Sequence, residues 1–472
     1  MQEFDTVIGL EVHVQLNTES KIFCSCSTRF DNPANSNICP VCCGYPGVLP
    51  VFNKKALELA IRVALALGCK INKQIYFERK NYFYPDLPKN YQISQYKMPL
   101  GEKGSLKLPS GETIGITRVH LEEDAGKLIH KENYSLVDLN RTGTPLLEIV
   151  SEPDMVSPEE AFDYLTYLKL TLQYINASEC NMERGSLRCD ANISLKEKGA
   201  AKLGTKVELK NMNTFRGVRD ALSHEEKRQA KVLVSGEKIF QETRLWDAKH
   251  QITEVMRTKE EAHDYRYFPE PDLLDFVVTD SAVNNEKKYI GELPLDKRER
   301  FLKEYKLPVT ETDVIISERF LSSFFEEACK EFNEPKKICN LLLGPFLEQV
   351  NTFEEKFKAV KISAVNFAKI ARYFSEGKIN NLGVKKVLSL CIVTNSNVDE
   401  IIAKEGLLQV SGKEELDKFA KEAIAENPKV VKEYLGGKVQ AIMFLVGTVM
   451  KKTKGKANPR VVKELLEKAL KK

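Results

Sequence analysis

Apolar and polar positions alternate in four segments of the chain, at residues 7–16, 114–124, 186–195 and 206–210. A period of two predicts β-strands, because successive side chains of a strand point to opposite faces of the sheet. Each predicted strand therefore has one apolar face, and one face on which carboxylates lie beside Arg, His, Lys or Asn.

Three segments among these strands follow the helical period instead, at residues 54–67, 158–175 and 215–236. Ser157 is expected to cap the second of them, and Pro158 takes the first helical position, where a missing N–H has no cost. These helices interrupt a region that is otherwise rich in strands and punctuated by Gly and Pro.

Beyond residues 291–300 the pattern becomes helical and rich in Lys and Glu, with helices predicted at 317–331, 336–350, 363–376 and 383–389. Asn427 and Asn458 each precede a proline, which predicts two more helices with asparagine caps. The changes in pattern predict an α+β fold in three parts, at residues 1–292, 293–406 and 407–472.

The composition is that of a globular protein, with 472 residues of which 42% are hydrophobic and 29% charged. This length exceeds one ordinary core, so several domains are expected. The longest apolar stretch, at 441–446, is far too short to cross a membrane, and the start lacks a secretory signal. We therefore expect a cytoplasmic protein without a membrane partner.

The charge is distributed unevenly. The formal net charge is only +4, but residues 411–472 contain 15 Lys and Arg against 8 Asp and Glu. The tail is therefore basic on a slightly acidic body, as expected of a segment that contacts nucleic acid. A solvated helical face with a lysine-rich turn is the alternative, and it is the usual origin of a charge run.

Four of the eleven cysteines are closely grouped, as Cys24-x-Cys26 and Cys39-x-x-Cys42, with a loop rich in turn-forming residues between the pairs. Two close pairs can present four thiolates to one tetrahedral ion, so we predict a structural zinc site, with Cys43 as a possible substitute ligand. Four unliganded thiols near a turn are the alternative. The other cysteines lie in apolar patterns and are expected in the core: Cys69, Cys180, Cys189, Cys329, Cys339 and Cys391.

The polar strand faces carry the candidate catalytic chemistry. Glu11 and His13 lie side by side on the first predicted strand, and Arg188 and Asp190 do so on a later one. Strands stacked as neighbours would bring carboxylates for Mg²⁺ close to cations for phosphate, which suits ATP-dependent chemistry. An ordinary solvated face is the alternative for any single strand. The sequence has neither the P-loop nor the Rossmann glycine motif.

A series of specific motifs gives the chain a resemblance to a known family. They are IGLEVHVQL, CPVCCGYPGVLPVFN, RKNYFYPDLPKNYQISQY, RVHLEEDAGK, DLNRTGTPLLEIVSEPD, MERGSLRCDANIS, KVELKNMNTF, AHDYRYFPEPDL and FLVGTVMKKTKGKANP. Together they resemble the B subunits of aspartyl/glutamyl-tRNA amidotransferases, in the same order and over essentially the whole chain.

The resemblance implies a heterotrimer in which an amidase A subunit releases ammonia from glutamine and a small C subunit completes the complex. The B subunit would use ATP and Mg²⁺ to phosphorylate the side-chain carboxylate of mischarged Glu-tRNA(Gln) or Asp-tRNA(Asn). Ammonia arriving through a channel would then displace phosphate. The resemblance also implies a largely antiparallel catalytic cradle similar to glutamine synthetase, a helical domain, and a tail domain that touches the tRNA.

Carried over residue by residue, the resemblance implies a metal and phosphate site formed by Glu11, His13, Glu122, Glu123, Glu148, Asp190 and Glu208. Within this set, Glu11, Glu123, Asp190 and Glu208 would bind the nucleotide with its metal. Glu11, His13 and Glu123 would be the Mg²⁺ ligands.

Two cations complete the predicted catalytic set. Arg188 is a candidate phosphate contact, with a structural salt bridge as the alternative. Lys80 would pair with an acidic residue at the end of the ammonia route; the alternative is that its segment forms a buried loop or a subunit contact around the aromatic residues Tyr82, Phe83, Tyr84 and Tyr91.

The resemblance assigns tRNA contacts to the basic tail, at Lys451, Lys452, Lys454, Lys456 and Arg460. The chain departs from the family pattern in two places. Cys339 and Leu341 flank Asn340 where Ala-Asn-Trp is expected, and Gln440 and Met443 replace Lys and Gly. Both departures lie outside the predicted catalytic residues.

Two other classes of protein stay open. One is a free-standing amide ligase of the glutamine synthetase type that acts on a small amino acid, against which the basic tail and the helical appendage argue. The other is a non-catalytic, zinc-containing RNA-binding protein. The acidic strand faces argue against it, because carboxylates repel phosphate unless a metal bridges them.

Overall fold

The structure is a computed structural model that describes residues 4–258, 265–353, 356–409, 413–453 and 457–470. The chain divides into two compact units, Met1–Lys297 and Arg298–Lys472, and each is described by itself. The division into three parts inferred from the sequence stays a prediction. No helix in these described ranges is long and apolar enough to cross a membrane.

A twelve-stranded sheet forms the frame of the first unit, in the order β14-β13-β12-β11-β1-β10-β7-β5-β4-β15, with β6 paired to β7 and β2 to β6. The strands of this unit are β1 (Phe4–Gln15), β2 (Lys70–Ile71), β3 (Gln74–Ile75), β4 (Glu78–Asn81), β5 (Tyr91–Ser94), β6 (Gly101–Lys107), β7 (Thr113–Glu123), β8 (Lys127–His130), β9 (Ser135–Asp138), β10 (Pro145–Ser151), β11 (Leu187–Glu197), β12 (Val207–Lys210), β13 (Glu242–Asp247), β14 (Ile252–Thr258), β15 (Phe268–Pro269) and β16 (Phe276–Val277). The pairs of the large sheet are antiparallel except β12 with β13, which is parallel. The predicted α+β class is confirmed, while the likeness to glutamine synthetase stays a prediction.

The four strands predicted from alternation are β1, β7, β11 and β12, and they lie close together in the sheet, with β10 between β1 and β7. Helices pack on their apolar face: α1 (Lys54–Ala66), α2 (Pro158–Tyr174) and α3 (Phe215–Val234). Ile8 of β1 shares one buried core with Leu59 of α1, Tyr164 of α2 and Val218 of α3. The helices therefore cover one face of the central strands and leave the polar face for the site.

All three of these predicted helices are present with nearly the predicted bounds. The hydroxyl of Ser157 caps α2 by accepting a hydrogen bond from the N–H of Glu160 at 3.2 Å, as predicted. A fourth helix, α4 (Asp280–Lys287), completes the first unit, and its Glu286 is buried in an ion pair with Arg62 of α1 at 2.8 Å.

The remaining helices are α5 (Pro294–Glu304), α6 (Val309–Ile316), α7 (Arg319–Glu331), α8 (Pro335–Leu341), α9 (Leu347–Val350), α10 (Ala364–Ser375), α11 (Asn381–Cys391), α12 (Val398–Lys404), α13 (Lys413–Glu426), α14 (Pro428–Leu435), α15 (Ile442–Lys452) and α16 (Pro459–Leu470). The helix predicted at 336–350 is interrupted by a π-helical turn, Leu342–Phe346, that contains Pro345. Proline lacks the N–H that a regular helix needs, which explains the wider turn.

The last helices have an apolar core of their own, which includes Leu416 of α13, Leu445 of α15 and Leu466 of α16. Asn458 caps α16 as predicted, since its side chain accepts a hydrogen bond from the N–H of Arg460 at 3.0 Å. The predicted cap at Asn427 is wrong. Its amide instead donates to the carbonyl of Ala423 at 2.8 Å and so satisfies the end of the preceding helix.

Candidate active site and metal centres

The register of the central strands aligns four polar side chains in one row across the sheet. His13 of β1 lies opposite Arg188 of β11 on one side and opposite Glu148 of β10 on the other. Glu148 in turn lies opposite His120 of β7. Three predicted site residues from distant segments therefore meet on the polar face, and His120 is a fourth member that the predicted set omitted.

A second row, two residues along β1, is built around Glu11. Asp190 of β11 lies opposite Glu11, and the side-chain amide of Asn192 donates to Oε1 of Glu11 at 3.0 Å. Lys210 forms ion pairs with Asp190 and with Glu208, the second at 3.3 Å. Three predicted carboxylates thus lie on neighbouring strands, half-buried, with one lysine between two of them.

His13, Glu122 and Glu148 form a compact group. Nε2 of His13 lies 3.3 Å from Oε2 of Glu148 and 3.5 Å from Oε1 of Glu122. One ligand atom from each residue lies within 4.8 Å of the others. Both carboxylates are buried, and buried negative charge is costly unless a cation balances it. Two carboxylates and one imidazole therefore fit a divalent cation at this point.

The titration behaviour of this group reflects its burial and its crowding. Burial and the charge of Glu148 raise the pKa of Glu122. Burial opposes ionisation of Glu148 too, but His120 and His13 outweigh it and lower the pKa of Glu148. Burial alone would lower the pKa of His13, whereas its hydrogen bond with Glu148 and the two carboxylate charges raise it. Burial lowers the pKa of His120 to about 4, so this imidazole is neutral at neutral pH. Such perturbed groups are typical of functional sites.

Lys80 lies beside the same buried carboxylates, within an aromatic wall. Its Nζ is 4.9 Å from the centre of the Tyr265 ring and 5.7 Å from that of Tyr82. Its positive charge acts on both Glu122 and Glu148. The charge of Lys80 therefore acts on acidic groups of the candidate site, and two tyrosine rings lie beside its ammonium.

Glu123 does not join these groups, although it was predicted as a Mg²⁺ and nucleotide ligand together with the acidic group of β1. It directly follows Glu122 on β7, and successive strand residues face opposite sides of a sheet. Its carboxylate forms an ion pair with Lys89 and accepts a hydrogen bond from the N–H of Ile93 at 2.9 Å. This predicted ligand lies on the reverse side of the strand from the other acidic groups.

Arg188 forms the salt bridge that was its alternative role. Its guanidinium donates to Oδ1 of Asp124 at 2.8 Å, and the other carboxylate oxygen accepts from Gln15 at 2.7 Å. Burial would raise the pKa of Asp124, but Arg188 and Arg141 outweigh it and lower that pKa. The side chain of Arg188 is still 37% exposed, so it can also reach a bound substrate. Asp124 is a site neighbour that the predicted set omitted.

One cavity opens beside the middle of β1 and another at its C-terminal end. The first, of about 250 Å³, lies beside Glu11 and is lined mainly by apolar groups, which include those of Val150, Pro153, Ile193 and Leu203. Gly9 also lines it, and Pro153 packs against this glycine, since a Cβ there would lie 3.6 Å from Cα of Pro153. The other, of about 370 Å³, begins at Gln15 and is mainly polar. The candidate catalytic residues lie between the two.

The four cysteines predicted as a zinc site come together, with sulfur atoms within 4.8 Å of one another: Cys24, Cys26, Cys39 and Cys42. The possible substitute ligand, Cys43, is not part of this group. The hydrogen bond with Cys24 and the charge of the buried Lys21 lower the pKa of Cys42, which favours its thiolate form. Four such donors fit a tetrahedral metal ion.

The cysteine loop is attached to the segment that leads into β10. The N–H of Asn37 donates to the side chain of Asn140 at 2.8 Å, and the N–H of Ile22 donates to the carbonyl of Gly143 at 2.8 Å. The ammonium of Lys21 donates to the carbonyl of Leu139 at 3.3 Å. A metal at the four cysteines would therefore also support the segment that carries Arg141.

The predicted tRNA contacts of the basic tail differ in their exposure and in their ion pairs. Lys454 and Lys456 lie outside the described residues. Lys451 and Arg460 are exposed. Lys452 instead forms ion pairs with two glutamates of α13, at 3.0 and 2.5 Å. The described part of the tail therefore offers Lys451 and Arg460, more than Lys452, to a partner.

Comparison with known proteins gives the class first. Residues 6–284 match a family described as the GatB/GatE catalytic domain, and residues 323–470 match one described as the GatB domain. The chain is thus a GatB/GatE-class protein.

Full-length relatives define the family more closely. Each of the following is named as the B subunit of an aspartyl/glutamyl-tRNA(Asn/Gln) amidotransferase. The relative from Thermoanaerobacter pseudethanolicus is 49% identical over 100% of both chains. That from Thermodesulfovibrio yellowstonii is 48% identical over 99% of this chain and 100% of its own. That from Carboxydothermus hydrogenoformans is 47% identical over 99% of this chain and 98% of its own. The chain belongs to the family of aspartyl/glutamyl-tRNA amidotransferase B subunits, and the resemblance found in the sequence is confirmed.

Proposed function

We propose that the chain is the B subunit of a tRNA-dependent amidotransferase. It uses ATP and Mg²⁺ to phosphorylate the side-chain carboxylate of Glu-tRNA(Gln), Asp-tRNA(Asn) or both, and ammonia then converts the acyl phosphate to the amide. The observation that carries the proposal is the group of His13, Glu122 and Glu148 beside the Glu11 row. The names of its relatives support the same substrates.

The chemistry has two steps. An oxygen of the substrate carboxylate attacks the terminal phosphorus of ATP, and the bond from that phosphorus to ADP breaks. The lone pair of ammonia then attacks the acyl carbon, the bond from carbon to the phosphate oxygen breaks, and the nitrogen loses a proton. Both steps need alignment and neutralised charge rather than a covalent protein nucleophile. Carboxylates with bound metal, and nearby cations, suit that need.

Two groups of side chains would hold Mg²⁺. One is the group of His13, Glu122 and Glu148, and the other is formed by Glu11, Asp190 and Glu208. When bound, Mg²⁺ neutralises phosphate charge and aligns the terminal phosphate. Around the second group, Asn192 orients Glu11 through its hydrogen bond, and Lys210 forms ion pairs with Asp190 and Glu208.

The apolar cavity beside Glu11 takes the adenosine of ATP. Its apolar walls suit a flat purine, and ligand sites of this kind combine such walls with few polar groups. Asn192 and Lys206 supply the polar groups. The phosphates would then extend along the sheet from Glu11 towards His13.

Ammonia comes from an amidase A subunit, in a complex that also contains a small C subunit. The relatives' designation as B subunits supports a complex of several subunits. Lys80 and its tyrosines mark the end of the ammonia route, and the action of the Lys80 charge on the buried Glu122 and Glu148 supports this. The basic tail contacts tRNA phosphates, and zinc at the four cysteines supports the loop before β10.

The test is to co-express the chain with the A and C subunits and to supply Glu-tRNA(Gln) and Asp-tRNA(Asn) separately, with ATP, Mg²⁺ and glutamine. We expect formation of Gln-tRNA(Gln), Asn-tRNA(Asn) or both, with ATP cleavage that depends on the charged tRNA. Absence of both products would overturn the proposal. Amidation of free glutamate without tRNA would favour a free-standing ligase instead.

A further inference from the structure

Both carboxylate oxygens of Glu208 have partners within the protein. Oε1 lies 3.3 Å from Nζ of Lys210, and Oε2 accepts a hydrogen bond from the hydroxyl of Thr243 at 2.7 Å. The side chain of Glu208 is only 12% exposed. A carboxylate oxygen has two lone pairs, so one donor on an oxygen still leaves a lone pair for a metal ion. The role of Lys210 is clear from its charge, whereas no function has been assigned to Thr243 so far.

Strand pairing places Thr243 beside Glu208. Thr243 lies opposite Glu208 in the register of the parallel strands β12 and β13, and it is fully buried. The next residue, Arg244, is directed towards α3, where its guanidinium pairs with Glu225 at 3.5 Å. The two neighbours on β13 therefore serve different faces of the sheet, and the hydroxyl of Thr243 belongs to the polar face.

Several contacts hold β13 in place behind this hydroxyl. The guanidinium of Arg244 donates to the carbonyl of Thr253 on β14 at 2.7 Å, and the hydroxyl of Thr253 donates to Glu225 of α3 at 3.0 Å. The pairing of β13 with β14 also shifts its register between Thr243 and Arg244. Such irregularities are common next to active sites, where they change the direction of a side chain. The hydroxyl of Thr243 thus comes from a backbone that is tied to both a strand and a helix.

A hydroxyl donor has a specific effect on a carboxylate. It is neutral, so it fixes the orientation of the carboxylate and leaves the negative charge that attracts Mg²⁺. The side-chain amide of Asn192 holds Glu11 in the same way, at 3.0 Å. Carboxylates that bind metal are generally held by hydrogen bonds of this kind, and loss of the donor typically weakens metal binding or activity by about 10- to 100-fold.

We propose that Thr243 is a positioning residue for the ATP-dependent step, which holds the carboxylate of Glu208 in the orientation that binds Mg²⁺. The inference rests on the proposed function, because Glu208 is one of the carboxylates proposed there to hold the metal. Thr243 is buried and acts through Glu208 rather than by contact with ATP or tRNA. A threonine that only satisfied a buried carboxylate would affect stability and leave the affinity for metal unchanged.

The test measures binding of Mn²⁺ alone to the complex with the A and C subunits, by electron paramagnetic resonance of the free ion. Thr243→Val removes the hydroxyl at nearly constant size and should weaken one Mn²⁺ site by about 10- to 100-fold. Thr243→Ser keeps the hydroxyl and should restore most of the affinity. The Mg²⁺ concentration that gives half-maximal tRNA-dependent ATP cleavage should rise by a similar factor in Thr243→Val, while the KM for the charged tRNA stays the same.

Thr253→Val is the matched control, because Thr253 is also a buried threonine whose hydroxyl donates to a glutamate. It should lower the melting temperature of the complex and leave Mn²⁺ binding unchanged. Thr243→Ala removes the same hydroxyl without a second methyl group beside the carboxylate, and it should give the same loss of affinity if Thr243→Val does not fold.

A double variant connects the effect to its proposed target. In the Glu208→Gln background, Thr243→Val should add little, because the two residues act as one unit. Weaker Mn²⁺ binding in Glu208→Gln with wild-type binding in Thr243→Val and Thr243→Ala would overturn the inference alone. So would a Thr243→Ser variant that binds Mn²⁺ as weakly as Thr243→Val. Unchanged Mn²⁺ binding in Glu208→Gln would overturn the metal group in the proposed function, and the inference with it.

Discussion

Nε2 of His13 lies 3.3 Å from Oε2 of Glu148, across one pair of antiparallel strands. The two residues come from distant segments, and the strand register alone brings them together. A shift by one residue would turn either side chain to the other face of the sheet. The site therefore depends on the pairing of β1 with β10 as much as on the identity of its residues.

Replacing Glu148 by Gln keeps the size of the side chain and removes its charge. We expect tRNA-dependent ATP cleavage to fall by about 100-fold or more, since metal stabilisation of transferred charge is worth several kcal/mol. Phosphate release by the complex with both partner subunits measures this. Glu152→Gln, an exposed glutamate just beyond β10, should keep the wild-type rate. An unchanged rate in Glu148→Gln would exclude the metal group of His13, Glu122 and Glu148.

Replacing Asp190 by Asn tests the second acidic group. We expect ATP cleavage to fall by about 10- to 100-fold and to require more Mg²⁺, because a group that supports bound metal has lost its charge. A titration of the cleavage rate with Mg²⁺ measures both effects. Asp247→Asn is the control, since this aspartate pairs with His250 in an exposed turn. Intact cleavage at low Mg²⁺ would contradict the role of the Glu11 row.

Replacing Lys80 by Ala should separate the two half-reactions. Glutamine hydrolysis should continue while amidation falls, because Lys80 lies beside the carboxylates where ammonia is used and not where it is released. Glutamate and amidated tRNA are measured in the same reaction, with Lys70→Ala, an exposed lysine of β2, as the control. If glutamine hydrolysis and amidation proceed at equal rates in Lys80→Ala, Lys80 has no part in the ammonia route.

The four-cysteine group should contain about one zinc ion per chain. Cys39→Ser should lose the metal and lower the melting temperature by about 5 °C or more, since about 2–4 °C is expected per kcal/mol in a large domain. Elemental analysis and thermal unfolding measure the two effects. Cys43→Ser is the matched control and should retain zinc, because Cys43 is not part of the group. Equal zinc content in both variants would refute the site.

Two neighbouring lysines of the tail are expected to contribute unequally to tRNA binding. Lys451→Ala should weaken tRNA binding and reduce the salt slope of the binding constant by about 1. Lys452→Ala should have a smaller effect, because that ammonium is held by two glutamates of α13. Binding measured over a range of salt concentrations distinguishes the two variants. Equal slopes would show that the tail does not contact phosphates in this way.

Removal of the chain from Gly436 onwards should weaken tRNA binding most strongly at low salt.

Much of the catalytic face follows from the sequence, since alternation alone puts Glu11 with His13 and Asp190 with Arg188. The motif around Glu148 supplied a third member of the His13 row, whereas His120, the fourth, was not in the predicted set. The sequence pattern could not show that β10 lies between β1 and β7, because strand order depends on long-range pairing that leaves no local signal.

Some features were missed although a signal existed. The alternation that joined His120 to Glu122 also directs Glu123 to the reverse side, so strict use of the two-residue period separates Glu123 from the group of His13, Glu122 and Glu148. The same period places His120 in the site. Lys89, the partner of Glu123, had no signal in the sequence, because it lies in a turn that is far along the chain from Glu123. The π-helical turn did have a signal in the sequence, which is Pro345.

Gly9 and Gln15 lie six residues apart on β1, and each borders one of the two cavities. At about 3.3 Å per residue, Gly9 and Gln15 are about 20 Å apart. A single extended molecule of that length would therefore span the polar face from one cavity to the other.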